Sequence, residues 1–251
     1  MTREETMLQK RLIDLSRQAD NKGIITFSDF LNLNEQNIFH TCINELYSRY
    51  ELHGGYDYAE RQMIAFIPDA LIFHTDVPIV CCKIQPLNQK FADNLSHRDI
   101  LGSLMSLGIE RSKIGDILVK NNQIFVFCHT SISAYIIEEL TRIRHTSVII
   151  NLVAPEEIPD IRPTLESCEG IVTSNRLDSI IASMCRISRS QAADLIKKGA
   201  VFINGKEILS TSYGLKENEI ISVRGTGRFR FGQTVGETRK GRMKIQYEKY
   251  I

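Results

Sequence analysis

The chain has 251 residues, 43% apolar and 24% charged, the proportions of an ordinary globular protein with material for two or three compact domains. No run approaches the roughly eighteen uncharged apolar residues of a membrane span, and the opening MTREETMLQKRL lacks an apolar signal core, so neither a membrane span nor secretion is expected. The net charge of +1 conceals an asymmetry: residues 174–251 hold 15 Lys+Arg against 7 Asp+Glu, and residues 1–173 hold 16 against 23.

Residues 4–20 place Leu8, Leu12, Leu15 and Ala19 on one helical face, and Asn21-Lys22-Gly23 closes that helix. Ser28 or Asp29 suits the cap of a short turn, and Asn34 the cap of a second helix through Ile38, Cys42 and Leu46. Met63 to Ile67 read as a strand ended by Pro68-Asp69. A mainly helical N-terminal domain is therefore expected over 1–77.

Pro78 precedes a buried strand, IVCCKIQ. Ser96 then caps a helix through Ile100, Leu101, Leu104 and Leu107, and Gly108 stops it. KIGDILVK and QIFVFCH pair as a hairpin about Asn121-Asn122, followed by a helix over Ile132, Ile136, Ile137 and Leu140 and a strand from Ser147 to Val153. This order predicts a ferredoxin-like βαββαβ (RRM-like) domain over 78–155. Phe125 and Phe127 share one face of a strand, but the RNA-recognition signature of basic, glycine and aromatic residues is absent, so both are expected in core under a helix layer. The proline-bearing, acidic stretch 156–173 reads as a linker.

The informative stretch is Arg176 to Arg230. Ser188 and Gln191 make a capping-box pattern, Ala192, Leu195 and Ile196 an apolar stripe, and Gly199 a left-handed stop. Val201-Phe202-Ile203 then forms a strand, Asn204-Gly205 a type I′ turn, and Ile220 to Val223 a further strand. With the charge excess, this is a polyanion-binding module. Arg176, Arg189, Lys197 and Lys198 are expected along one edge, with Ser188 and Ser190 at a helix start that favours anions, and Lys206 on a projecting turn. Arg186, Asn204, Arg224, Arg228 and Arg230 complete the candidate RNA-binding set. The tail reads as strand through Phe231 and a flexible basic end beyond it.

Three features in order (Arg176-Leu177-Asp178; Ser188-Arg189-Ser190-Gln191-Ala192; Lys197 through Gly205) resemble the ribosomal-protein-S-four-type RNA-binding domain, the αL motif, here over 174–251. Asn218-Glu219 replaces its usual Gly-Asp. Adding Gly54-Gly55, Ala59-Glu60-Arg61, Leu101 to Val119 and Val223 to Phe229, the whole chain resembles the YlmH family of bacterial proteins. That resemblance implies a cytoplasmic RNA-binding protein linked to cell division, to large-subunit rRNA and peptidyl-tRNA, and to rescue of stalled nascent chains. For the acidic body, a protein partner is expected. The fold class expected is α+β and multidomain.

No catalytic set emerges. The six histidines are scattered, and the six cysteines (42, 81, 82, 128, 168 and 185) form no C-x-x-C pair, so reduced thiols, no metal and no cofactor are expected. Two other readings stay open: an RNA-modifying enzyme, because the same module is appended to such enzymes, and a division-associated scaffold whose RNA contact is secondary.

Overall fold

The computed structural model describes residues 2–71, 76–120, 123–158, 162–239 and 241–251. It forms two compact units, Met1–Ile161 and Arg162–Ile251. No helix among the described residues is long and apolar enough to cross a membrane.

The first unit opens with α1 (Arg3–Lys22), started by a capping box between Thr2 and Glu5 and stopped by Gly23 at φ +63°. Its face carries Leu12 and Ala19 into a core with Phe39, Ile64 and Phe66. β1 (Thr26–Phe27), β2 (Arg49–His53) and β3 (Met63–Ile67) make a small antiparallel sheet in the order β1-β3-β2. α2 (Leu33–Thr41) is capped by Asn32, with Glu35 closing the box, and not by Asn34. The Glu three residues after Asn32 was the stronger signal. Ser28 caps nothing: its buried hydroxyl accepts from Ile64 N at 2.8 Å and donates to Asp29 O at 2.7 Å.

Five strands follow in the order β5-β6-β4-β8-β7, every neighbour antiparallel. In chain order these elements are β4 (Ile79–Pro86), α3 (His97–Ser106), β5 (Ile114–Lys120), β6 (Gln123–His129), α4 (Thr130–Glu139), β7 (Arg142–Ile143) and β8 (Thr146–Val153). The expected turn at Asn121-Asn122 lies outside the described residues. Ser96 and Asp99 form the capping box that starts α3. Cys82, Ile84, Ile124, Val126 and Cys128 face α3 and α4 and fill the main core with Ile100, Leu104 and Ile136. Alternation puts Phe125 and Phe127 on the other face. They are 1% exposed there, yet among the described residues no helix packs on them. Tyr56 stacks on Phe127 at 4.9 Å, and Leu118, Val153 and Ile158 complete the cover.

The limit expected near residue 77 lies within the first compact unit, Met1–Ile161. Asp116, on β5, accepts from Tyr56 Oη (2.9 Å), Glu60 N (2.7 Å) and Arg61 N (3.2 Å). Arg61 in turn donates to the carbonyls of Ile114 and Phe30, each at 3.0 Å. Half-buried, its guanidinium is held below its ordinary pKa by burial, with the nearby carboxylates of Glu35 and Asp116 acting the other way.

The second unit is a six-stranded sheet under two helices. The stretch 156–173 is not simply a linker, since it supplies β9 (Leu165–Val172). After it come α5 (Leu177–Cys185), α6 (Arg189–Lys197), β10 (Val201–Ile203), β11 (Lys206–Glu207), β12 (Ile220–Val223), β13 (Gly227–Glu237) and β14 (Met243–Tyr250). Their order is β11-β10-β12-β13-β14-β9. The tail beyond Phe231 is therefore strand and hairpin, paired on one side with β13 and on the other with β9. Val201, Ile203, Ile221, Val223, Phe229 and Phe231 turn inward against Ile180, Ile181, Ala192 and Ile196 of the helices. That alternation recruits the tail: Ile245 and Tyr247 continue the same apolar face on β14.

Candidate nucleic-acid interface

The candidate interface is built around one carboxylate. Asp178 stands in the first turn of α5 and its side chain is 9% exposed. Arg176, the residue preceding the helix, donates Nε to its Oδ1 at 3.1 Å and Nη2 to its Oδ2 at 3.3 Å. Arg189, at the start of α6, donates Nε to Oδ2 at 3.0 Å and Nη2 to Oδ1 at 3.4 Å. Ser179 N adds a backbone donor at 2.9 Å. Burial by itself would raise the Asp178 pKa; the bonds from Arg176 and then Arg189 outweigh it and hold the carboxyl below its usual range. Two guanidiniums sharing one anion leave a local excess of one positive charge, with both side chains half exposed.

The arrangement makes Arg189 more than a free surface cation, as its RNA-binding assignment from the sequence had supposed. It reaches across eleven positions to Asp178, a pairing that only the packing of α5 against α6 brings about. Ser188 caps α6 as expected: it accepts from Gln191 N at 3.2 Å, while Gln191 Oε1 accepts from Ser188 N at 2.9 Å. Its hydroxyl also lies 3.0 Å from that of Ser190. Asn175, not singled out from the sequence, brackets Leu215 through both amide atoms at 2.9 and 3.0 Å and anchors the approach to α5.

The remaining candidates do not share one edge. Lys197 and Lys198 are exposed at the far end of α6, about 12 Å along the helix from Arg189. Arg186 ends α5 in the left-handed conformation, φ +54°. Asn204 and Gly205, at φ +47° and +78°, make the type I′ turn that presents exposed Lys206. Strand alternation sends Arg228 and Arg230 to the sheet face away from the helices. There Arg228 lies over the Tyr250 ring at 4.8 Å, Arg224 over the Phe202 ring at 4.7 Å, and Arg230 pairs with Glu248. Cations thus occupy both faces of the unit, and contiguity in sequence did not reveal the division.

Residues 175–221 match the S4 domain, and residues 74–157 match a model described as the putative RNA-binding domain in YlmH. The chain carries a YlmH-type RNA-binding domain and an S4 domain. It is similar to the ribosome-associated protein quality control protein P2 of Bacillus subtilis (strain 168), at 26% identity over 98% of this chain and 96% of that one. A solved structure, the cell division protein ylmH from Streptococcus pneumoniae, superposes with a TM-score of 0.52 at 19% identity, over 63% of this chain and 97% of that chain, a likeness of fold. The S4 match covers Asp178 and both its arginines, along with the type I′ turn. It ends before β13, so Arg224, Arg228 and Arg230 lie outside it. The YlmH match spans the five-stranded sheet, on whose Phe127 Tyr56 stacks.

Proposed function

We propose that this chain is an RNA-binding adaptor that acts at the ribosome in quality control of stalled nascent chains, with its S4 domain gripping structured RNA of the large subunit or its tRNA. The observation that carries this reading is the Arg176–Asp178–Arg189 cluster, two half-exposed guanidiniums fixed on one buried anion within a segment at +8. Pre-oriented guanidiniums lose little freedom when they meet phosphates. A-form RNA offers phosphates and 2′-hydroxyls across a wide minor groove, so recognition is by shape. The ribosomal role draws on the name of the Bacillus subtilis relative, which aligns along nearly all of this chain.

The candidate RNA contacts remain Arg176, Arg186, Ser188, Arg189, Ser190, Lys197, Lys198, Asn204, Lys206, Arg224, Arg228 and Arg230. We read β4 to β8 as a ferredoxin-like plait, which the antiparallel order β5-β6-β4-β8 supports. Because Phe125 and Phe127 are both buried, that sheet face is assigned no base stacking, and the acidic first unit is left to meet a protein partner in the cytoplasm. Cosedimentation of the full chain with purified ribosomal subunits tests the reading. Association with the large subunit at low salt, lost as salt rises, is expected; no association at low salt would overturn it.

A further inference from the structure

We infer that the β13–β14 hairpin is an RNA-contacting element of its own, whose tip cations Arg239, Arg242 and Lys244 extend the footprint of Arg176 and Arg189 along the phosphates of a folded RNA. The inference rests on the RNA-binding reading above and adds a site outside the S4 match, which ends at residue 221.

The hairpin turn lies beyond the core: Met243, opposite Glu237 and Val172, is the first β14 residue that packs against it. Phe231 is the last buried side chain on β13, and Gln233 to Glu237 are all exposed. Shifts of register between Phe231 and Gly236 bend the hairpin and increase its twist. A Cβ on Gly232 would stand 2.8 Å from Gln246 O, so the crossing strands demand glycine there.

The described residues Thr238, Gly241 and Arg242 bond to one another. Thr238 N donates to Arg242 O at 2.7 Å, Gly241 N to Thr238 O at 2.9 Å, and Arg242 N to Thr238 Oγ1 at 3.1 Å. Gly241 takes the left-handed φ of +67° that the reversal requires. The run 236–244, GETRKGRMK, holds four Lys or Arg and one acidic residue. Arg230 is neutralised by Glu248, and Arg176 and Arg189 share Asp178; among the described residues no carboxylate pairs with Arg239, Arg242 or Lys244. Exposed cations held without counter-ions on a turn suit a polyanion, and they gain by releasing its bound counter-ions.

Register ties the tip to the helix cluster. Met243 lies opposite Val172 at the end of β9, and Arg176 follows Val172 by four residues. The hairpin tip and the start of α5 therefore share one end of the unit. An RNA backbone held by Arg176 and Arg189 has the hairpin within its path, which favours RNA over an acidic protein surface as the occupant.

The test uses the full chain and a fluorescein-labelled RNA stem-loop, with binding followed by anisotropy over a series of salt concentrations. The variants are R239Q/R242Q/K244Q, its charge-keeping counterpart R239K/R242K, and R176A/R189A. All three tip residues lie outside the core, so the thermal transition should match that of the wild type. The triple glutamine variant is expected to lower the slope of log affinity against log salt by about 2–3 and to weaken binding between tenfold and 100-fold at about 0.1 M salt, while the lysine variant keeps the slope. An unchanged slope in the triple variant, with a reduced slope in R176A/R189A, overturns the hairpin site and leaves the RNA reading standing. Absence of salt-dependent binding by the wild type overturns both. Loss of ribosome association by the triple variant, with its stem-loop binding intact, assigns the tip to a protein surface and also overturns the inference.

Discussion

Asp178→Asn isolates the charge at the centre of the candidate interface. The amide fills the same space, but it cannot serve as the anion for both Arg176 and Arg189. Each pair joins a nearly buried carboxylate to a guanidinium whose side chain is 39% or 51% exposed, so solvent screens much of the attraction. About 1 kcal/mol for each pair, and about 2 kcal/mol for the two, is the expected loss. For a unit of this size that corresponds to a fall in Tm of about 10 °C. Because the folded Asp178 has a depressed pKa, its contribution is full above the unfolded value, about 4, and disappears as pH falls through the lower folded value. Thermal melts of wild type and variant across pH should therefore diverge at pH 7 and converge in acid. Equal Tm at pH 7, or a gap that persists undiminished in strong acid, would refute the reasoning.

Three other perturbations examine the first unit. Gly55→Ala should cost about 2–4 kcal/mol, since Gly55 has φ +89° and a Cβ would stand 2.5 Å from the Phe127 ring; a urea midpoint that does not move would count against that packing. Asp116→Ala removes the acceptor for Tyr56 Oη, Glu60 N and Arg61 N and should destabilise by about 3 kcal/mol, read in the same titration. Cys81 is buried, and burial with the adjacent Cys82 pushes its thiol up to about 12, so a thiol reagent at pH 8 should label it only after unfolding.

Local chemistry was legible wherever neighbours in sequence settle it. Ser188 with Gln191 and Ser96 with Asp99 specify helix starts through bonds spanning three residues, and Asn204-Gly205 specifies a turn through backbone sterics. The tail was only partly legible. Met243, Ile245 and Tyr247 alternate as a strand should, but the charged and glycine residues around them resembled a disordered end, and the pairing that overrides this comes from β9. The partner strand precedes it by some eighty residues, a distance over which pattern carries no register.

The sequence alone determined that a basic S4-type module of two helices and a small sheet follows an acidic segment, because charge, caps and turn residues are local properties. Tertiary structure alone decided how the candidate cations divide. It brought Arg176 and Arg189 onto Asp178, sent Arg228 and Arg230 to the opposite face, and covered Phe127 with Tyr56. The reason is that which side chain meets which across a sheet or between helices depends on register and packing, and both are fixed by burial shared among distant segments.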